Sequence, residues 1–371
     1  MKKRPKTVNP EWDILYPLLI AKWRKLMELP LGPEDRLQTR EFQSLIKSLL
    51  EYRESKSLSS KEALGAYLMY EWPIQYAEAL SLFKELPKRP LKVLELGAAS
   101  APYSLAAAQH GATEIFALDT QEIALKHGAD ICGNLGYPIS IRTGDPKNVR
   151  GFPGTGKWDL IVLSHSLFTM FPSEGEQINY IQWLLPLLES DGHLLIVESS
   201  ATEVNRKFLS LRDRIAELKI PIAAPCLWKG NCPALKHGSS PCFAQRPLEK
   251  HPMLKDIQRA CQINLSSLKM SYILLRSLES PPAPLEDNLY RVVSPPVETF
   301  KGQRFFLCGV KGKKTLGSSL KIHPKESRAF EYLQRGDVIA INNPSEIDND
   351  MQITEKTEIL LHAPCGKPLP S

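Results

Sequence analysis

The sequence lacks any segment that would place the protein in or across a membrane. Its 371 residues begin with a basic MKKR, but no apolar stretch of signal-peptide length follows, and the run 17–21 is too short to act as one. Residues 160–171 are too short and too polar to span a bilayer. The early acidic residues Glu11 and Asp13 are atypical of a mitochondrial transit peptide. We therefore expect a cytoplasmic protein with no membrane partner.

Paired cysteines are missing as well. The chain has seven cysteines, and an odd count without a secretion signal argues against a disulfide framework. No two of them form the C-x2-C pair that is commonest in structural zinc sites. The composition, with 43% hydrophobic and 24% charged residues, is otherwise that of an ordinary globular protein.

Three cysteines nevertheless lie close together in the sequence. Cys226, Cys232 and Cys242 follow the spacing C-x5-C-x9-C in a segment rich in proline and glycine, whose turns can direct several thiolates toward one point. Cys308, at the end of the strand-like run 304–308, is the best candidate for a fourth ligand. Such a site would link a loop to a distant strand.

Four thiolates suit either zinc or an iron–sulfur cluster, because both prefer soft sulfur ligands. The absence of C-x2-C pairs favours a 4Fe–4S cluster, whose larger sulfur cage tolerates wider ligand spacing, and leaves zinc as the alternative. Ordinary buried cysteines are a further alternative, although a loop of Pro, Gly and Lys is a poor place to bury one. We interpret the other three cysteines, Cys132, Cys261 and Cys365, as packing or surface residues.

Positive charge is concentrated in the segments that carry these cysteines. Residues 204–260 contain eleven Lys and Arg against four Asp and Glu, and residues 301–330 contain eight against one. Together the two segments carry a net charge of +14, so the rest of the chain carries −8. A basic face of this kind attracts a phosphate backbone, and its coincidence with the cysteines favours RNA or DNA as a partner.

The hydrophobic pattern changes near residue 90. Residues 1–88 show helical periodicity, as in Trp12, Leu15 and Leu19, and predict a helical N-terminal unit. Strand-like runs at 91–96, 114–119, 139–142, 158–163 and 193–198 then alternate with helical segments. This alternation predicts an α/β protein with a mainly parallel, doubly wound sheet.

A turn of small residues follows the first of these strands. Residues 97–102 (GAASAP) lead into a helix, and small residues let the backbone approach a nucleotide-like ligand. Asp119 closes the second strand, 22 residues after Gly97, where it can accept hydrogen bonds from ribose hydroxyls. His165 has the pKa range of a general base, but a lone histidine at a strand end is more often structural. No catalytic residue is assigned.

Several motifs resemble those of known families. The LELG at 94–97, Asp119, the GD at 144–145 and the strand around Asp159 resemble a Rossmann-like class I S-adenosylmethionine-dependent methyltransferase. More narrowly, the chain resembles the methyltransferase-like small-ribosomal-subunit proteins, known as mitochondrial ribosomal proteins or assembly factors and present in bacteria too. The narrower resemblance extends over about residues 61–335 and rests on APC at 224–226, CP at 232–233, CFAQR at 242–246, RVV at 291–293 and LC at 307–308.

This resemblance implies cofactors, a partner and a division of the chain. It implies a 4Fe–4S cluster on Cys226, Cys232, Cys242 and Cys308, and binding to small-subunit ribosomal RNA during assembly. We expect the protein to be a monomer. The expected regions are a helical N-terminal domain (1–88), a methyltransferase-like domain (89–218 and 264–320), a cysteine-rich cluster-binding insertion (219–263) and a basic C-terminal extension (321–371).

The resemblance also implies a site for S-adenosylmethionine. The expected binding residues are Glu95, Gly97, Ala99, Asp119, Asp145 and Ser164. The chain departs from the family pattern where Ala99 and Ala101 replace glycines, because each added Cβ narrows the approach to the methionine portion of the cofactor. Residues 164–167 (SHSL) also replace the Asn/Asp-Pro-Pro-aromatic motif of amino-directed nucleic-acid methyltransferases.

Three functions follow from these observations. The first is a small-subunit assembly factor in which a structural cluster shapes an RNA-binding surface and the methyltransferase fold serves mostly as a scaffold. The second is an active S-adenosylmethionine-dependent RNA methyltransferase, and the third is a zinc-stapled nucleic-acid-binding module. In the first, the phosphate-binding side chains are expected to be Lys229, Arg246, Lys311, Lys313 and Lys314.

Overall fold

The computed structural model describes residues 11–148, 156–236, 241–280, 285–300, 302–318, 323–347 and 350–368. Its first elements are the helices α1 (Trp12–Leu26), α2 (Thr39–Ser55) and α3 (Lys61–Phe83). Ser60 begins α3 as an N-cap, since its side chain accepts a hydrogen bond of 3.1 Å from the N–H of Ala63. The helical N-terminus predicted from the sequence is confirmed.

The helix α3 connects these helices to the rest of the molecule. Most of its side chains are buried, including Trp72 and Tyr76. They pack in one hydrophobic core that continues into the central sheet through residues such as Val93, Val162 and Leu274. The N-terminal helices therefore cover one face of the sheet and do not have a separate core.

The central sheet contains the strands β1 (Lys92–Leu96), β2 (Glu114–Asp119), β3 (Ser140–Thr143), β4 (Trp158–Ser164), β5 (Leu188–Ser199), β6 (Ile222–Ala224), β7 (Ala244–Arg246) and β8 (Leu268–Arg276). The helices between them are α4 (Pro102–Gln109), α5 (Glu122–Asn134), α6 (Leu167–Met170), α7 (Glu174–Leu184), α8 (Thr202–Glu217), α9 (Pro233–Lys236) and α10 (Pro252–Ala260), with a 3₁₀ helix at Leu185–Leu187.

The strand order of this sheet is β3-β2-β1-β4-β5-β8-β6, and β7 also pairs with β8. The strands from β3 to β5 are parallel, whereas β8 is antiparallel to β5, β6 and β7. The order reverses at β1, which starts both halves of the sheet. This is the doubly wound α/β arrangement predicted from the sequence, and it places ligand-binding loops at the carboxyl ends of the strands.

A second sheet follows. Its strands are β9 (Leu289–Val292), β10 (Val297–Thr299), β11 (Gly302–Gly309), β12 (Gly312–Ser318), β13 (Val338–Asn342), β14 (Ser345–Ile347), β15 (Asp350–Gln352) and β16 (Glu358–Ala363), with a 3₁₀ helix at Glu326–Glu331. The order is β14-β15-β12-β11-β9-β13-β16, and β10 pairs with β11.

The second sheet runs across the boundary expected at residue 320. Phe305 and Leu316, from before that boundary, pack with Phe330 and Ile339, from after it, in one hydrophobic core. The strands β9 and β12 were grouped with the methyltransferase-like region on sequence, but β9 pairs with β13 and β12 pairs with β15, both beyond residue 320. Burial of apolar side chains on both sides of residue 320 explains this difference.

The cysteine-rich segment connects the two sheets. Its three cysteines follow β6 and precede β8 in the sequence, and both of these strands belong to the central sheet. From the second sheet, Arg291 of β9 contacts the segment. Arg291 donates from Nε to the carbonyl of Pro225 (2.7 Å) and from Nη1 to the carbonyl of Gly336 (2.8 Å). Among the described residues, no helix is both long enough and apolar enough to cross a membrane.

Candidate cofactor turn and cysteine site

The turn after β1 has the backbone conformation of a close-approach loop. Gly97 has a φ of +69°, and a Cβ there would lie 2.6 Å from the Cβ of Ser166. The amides of Gly97 and Ala98 both donate to the carbonyl of Leu118, which ties the turn to the end of β2. Only glycine fits at position 97, for reasons of both conformation and space.

Two alanines in this turn also have left-handed backbone angles, with φ of +46° at Ala99 and +54° at Ala101. This region normally favours glycine, so the backbone keeps the shape of a glycine-rich turn although the side chains differ. The methyl group of Ala101 is fully buried in a small apolar cluster with Ala117 and Leu125.

Asp119 holds this turn together. Its Oδ2 accepts a hydrogen bond from the N–H of Ala99 (2.8 Å), and its Oδ1 accepts one from the N–H of Gln121 (2.8 Å). Each carboxylate oxygen can accept more than one hydrogen bond, so these contacts leave acceptor sites for a ribose. The sequence did not indicate the structural role, and ribose binding stays a prediction.

Glu95 lies beneath the turn. It is fully buried in β1, and its Oε2 accepts hydrogen bonds from the N–H (2.7 Å) and the Oγ (2.6 Å) of Ser104. Burial raises the pKa of this carboxyl to about 7. Its second oxygen, Oε1, is buried without a hydrogen-bond partner, which makes it an acceptor available to a ligand group or a water.

The remaining expected cofactor residues lie at the same edge of the sheet. Gly144 donates its N–H to the carbonyl of Asp119 (3.0 Å), and the next residue, Asp145, is exposed and accepts from the N–H of Lys147 (3.0 Å). Ser164 ends β4 and is buried. All six residues expected to bind the cofactor thus come from β1, β2 and β4 or from the turns that follow β1 and β3.

His165 follows Ser164 and forms an ion pair with the N-terminal helices. Its Nε2 lies 2.9 Å from Oε2 of Glu78 on α3, which is buried. Burial alone would lower the pKa of His165, but the carboxylates of Glu78 and then Glu198 raise it to about 9. The N-terminal helices thus place a buried carboxylate at the edge of the sheet, which the sequence did not indicate.

A charged His165 gives a testable pH dependence. The pKa of His165 is raised in the folded protein, so the ion pair stabilises the fold fully below pH 6.5, the ordinary pKa of histidine. This contribution to the free energy of unfolding is lost as the pH rises through about 9. Replacing Glu78 by Gln should therefore reduce the free energy of unfolding by about 2 kcal/mol at pH 6 and by much less at pH 9.5. Urea unfolding of the two proteins at both pH values measures this.

The exposed pair Arg214–Glu217 provides the control. Replacing Glu217 by Gln should change the free energy of unfolding little at either pH, since exposed pairs contribute little. A Glu78→Gln effect that is the same at pH 6 and pH 9.5 would show that His165 is not charged in the folded protein.

The four candidate metal-binding cysteines lie in one region. Cys226 follows β6, Cys232 precedes α9, Cys242 precedes β7 and Cys308 is in β11. All four are free thiols. Cys226 and Cys242 line the same cavity. Cys308 interacts electrostatically with Cys226, Cys232 and Cys242, so thiols up to 82 positions apart in the sequence, from 226 to 308, lie near one another.

The thiols are close enough to affect one another's ionisation. Burial, together with Cys226 and Cys232, raises the pKa of Cys242 to about 12. Burial also raises the pKa of Cys308, and the other three cysteines add to that increase. Each pair of the four thiols interacts electrostatically. Thiolates this close to one another need a compensating positive charge.

Four arginines line the cavity that contains Cys226 and Cys242. They are Arg212 of α8, Arg246 of β7, Arg291 of β9 and Arg335. The Nε of Arg212 and the Nε and Nη2 of Arg335 are buried without a hydrogen-bond partner among the described residues. The sequence did not predict this role for Arg212 or Arg335.

The cysteine backbone is also fixed in place. The N–H of Cys232 donates to both carboxylate oxygens of Asp213 on α8 (2.9 and 2.8 Å). Arg212 donates to the carbonyls of Trp228 and Gly230. The helix α8 therefore sets the path of the loop between Cys226 and Cys232.

In the part of the chain that the structure describes, no group of three or more His, Cys, Asp or Glu side chains is arranged to hold a metal ion, and metal binding stays a prediction.

Arg246 does not belong to the expected phosphate-binding surface. It is 4% exposed and donates to Glu85, which also accepts from the hydroxyl of Tyr272. Burial alone would lower the pKa of Arg246, but Glu85 raises it above its usual value. The expectation for this residue is wrong, because β7 turns the side chain inward to a buried carboxylate.

The four lysines of that expectation have different surroundings. Lys229 donates to the carbonyls of Ile222 and Cys226 (both 2.8 Å) and so supports the cysteine loop. Lys311, Lys313 and Lys314 lie together on the hairpin of β11 and β12, beside one groove. Of the five side chains expected to bind phosphate, only those of Lys311, Lys313 and Lys314 lie beside a surface groove.

The strand order and the turn at Gly97 define a class I methyltransferase fold. The chain belongs to the family described as mitochondrial small ribosomal subunit Rsm22, whose model matches residues 61–331. The match includes the turn, Asp119 and all four candidate metal-binding cysteines. No curated protein matches the chain.

Solved structures show weaker similarity. The chain is similar to an rRNA methylase from Streptococcus thermophilus (12% identity, 55% of this chain and 95% of that one, TM-score 0.30). It is also similar to TrmN from Thermus thermophilus (17%, 56% and 52%, TM-score 0.33) and to the plantazolicin methyltransferase BpumL (14%, 65% and 100%, TM-score 0.39). The fold assignment rests on the strand order of this protein and not on these similarities.

Proposed function

We propose that this protein is a cytoplasmic, monomeric assembly factor that binds RNA of the small ribosomal subunit. A 4Fe–4S cluster on Cys226, Cys232, Cys242 and Cys308 holds the cysteine segment against the second sheet. The observation that supports the proposal is that Cys226, Cys232, Cys242 and Cys308 lie near enough to influence one another electrostatically, in the most basic part of the chain. The cluster supplies a rigid four-point link, and its role here is structural.

The surroundings of the thiols fit such a group. A cluster on four thiolates is negatively charged, and buried negative charge needs donors and positive partners. Arg212 and Arg335 offer three buried nitrogen atoms that have no hydrogen-bond partner among the described residues, and Arg335 also packs on the ring of Phe243 at 4.0 Å. Hydrogen bonds to cluster sulfur are a known means of stabilising these centres. Zinc on the same four sulfurs is the alternative.

RNA binding follows from the family and the charge distribution. The family is described as a small-ribosomal-subunit protein, and the segments around the cysteines carry the net positive charge. Binding driven by phosphate contacts weakens steeply with salt. We expect anaerobically purified protein to bind small-subunit RNA with an affinity that falls as salt rises, measured by filter retention. Salt-independent binding, or none, would contradict the proposal.

A second candidate function is methyl transfer to that RNA. It is favoured by the shape of the turn, in which Gly97, Ala99 and Ala101 keep left-handed backbone angles beside Asp119. In this reading Glu95, Gly97, Ala99, Asp119, Asp145 and Ser164 hold S-adenosylmethionine. Against it, residues 164–167 (SHSL) replace the Asn/Asp-Pro-Pro-aromatic motif of amino-directed nucleic-acid methyltransferases. Radiolabel transfer from S-adenosylmethionine into small-subunit RNA separates the two functions, and no incorporation is expected.

A further inference from the structure

A groove lies where the cysteine segment meets the hairpin of β11 and β12. It encloses about 410 Å³. Its aromatic and basic side chains come from both segments, and we call the following six residues the lysine–aromatic groove: Trp228, Lys236, Phe306, Lys311, Lys313 and Lys314. The groove therefore forms only when the cysteine segment lies against the second sheet.

The charge of the groove is positive. No acidic side chain is among the described residues that line it. Lys311 and Lys314 pair with Asp287 (3.0 Å) and Glu346 (3.2 Å), which lie outside the lining. The pair of Lys311 with Asp287 is exposed on both sides and is therefore weak in water, so Lys311 can exchange its partner for a phosphate oxygen. The side chain of Lys314 is only 12% exposed and adds positive charge beside the groove.

The two aromatic side chains are positioned for a ligand and not for the core. Neither Trp228 nor Phe306 belongs to a hydrophobic core cluster of the described residues. The indole N–H of Trp228 donates to the carbonyl of Asn231 (2.9 Å), and a Cβ at Gly230 would lie 2.4 Å from the indole ring. These contacts fix the orientation of the indole. The Nζ of Lys313 lies 4.7 Å from the centroid of the Phe306 ring, so a charge and a ring face are adjacent.

We propose that the lysine–aromatic groove binds a single-stranded RNA segment, with bases against Trp228 and Phe306 and phosphates at the lysines. This inference rests on the proposed function and names the part of the RNA that is bound. Aromatic rings beside lysines suit single strands, because unpaired bases expose their faces for stacking while bases in a duplex do not. A site for duplex RNA would need phosphate contacts without rings.

The test is fluorescence anisotropy with a labelled single-stranded RNA and with a hairpin that pairs the same sequence. Phe306→Leu keeps an apolar side chain in β11 and removes the ring. It should weaken single-strand binding about tenfold and leave the hairpin affinity unchanged. Lys313→Gln should reduce the slope of log affinity against log salt by about 0.7 for the single strand. Tyr137 is an exposed aromatic residue outside the groove, and Tyr137→Leu is the matched control. It should change neither the single-strand affinity nor its dependence on salt.

Two results would overturn the groove assignment and leave the proposed function standing: equal binding of the hairpin and the single strand by the unaltered protein, or an unchanged single-strand affinity in Phe306→Leu. Absence of RNA binding by the unaltered, iron-loaded protein would overturn the proposed function itself. Circular dichroism and iron content of each variant confirm that it is folded and loaded.

Discussion

Replacing Cys308 by serine is expected to give a folded protein that has lost most of its iron. Cys308 lies within β11, between its neighbours Lys313 in β12 and Arg291 in β9. Backbone hydrogen bonds to both neighbouring strands hold its position, and serine is nearly the same size, so the second sheet should form. A serine hydroxyl is a poor ligand for iron, which prefers thiolate in such clusters. Iron and sulfide content and the visible absorbance of anaerobically purified protein measure the loss.

RNA affinity should fall together with the iron. Without the fourth ligand the cysteine segment is no longer linked to β11, and the groove formed by these two segments loses its shape. We expect single-strand binding to weaken by about tenfold or more, the size expected when a stacking contact is lost. The measurement is anisotropy at one fixed salt concentration.

Cys261→Ser is the matched control for this experiment. Cys261 is buried at the end of α10 and lies outside the cysteine-rich cavity, so this variant should keep both iron and RNA affinity. A Cys308→Ser protein that is colourless but binds RNA normally would separate the cluster from RNA binding. Stoichiometric zinc with no visible absorbance in the unaltered protein would replace the cluster by the zinc alternative.

The central sheet could be predicted from the sequence because its signals are local. The run 91–96 forms β1, and the run 114–119 forms β2; both are short apolar segments next to a turn of small or acidic residues. The second sheet gave weaker signals. The segment GKKTLGS, which forms β12, has few β-branched or aromatic residues, and its strand character comes from pairing with β11 and β15.

The candidate sites show the same limit: residue types and spacing could be predicted from the sequence, but contacts between distant residues could not. The cysteines were evident from residue type and spacing, and the turn from its small residues. The role of Glu78 was not evident from the sequence, because its partner His165 comes close to it only in the folded protein. Arg246 was misplaced for the same reason: a basic residue in a basic segment predicts a surface position, whereas its partner Glu85 is 161 positions away in the sequence.

Replacing Arg246 by leucine is expected to destabilise the protein by about 3–5 kcal/mol, the usual effect of removing one partner from a buried ion pair. The side chains of Glu85 and Arg246 are 3% and 5% exposed. Among the described residues, the variant therefore leaves the buried carboxylate with the hydroxyl of Tyr272 as its one side-chain donor. Chemical denaturation measures the change in the free energy of unfolding. RNA affinity, measured where the variant is folded, should be unaffected.

The double replacement Glu85→Leu with Arg246→Leu tests the cause. It removes both charges, so it should be clearly more stable than Arg246→Leu alone. Arg259→Leu breaks an exposed pair with Asp256 and should change the free energy of unfolding by less than about 0.5 kcal/mol. If Arg246→Leu instead weakened RNA binding while leaving stability within about 1 kcal/mol, Arg246 would contact phosphate, and β7 would have to present it to solvent.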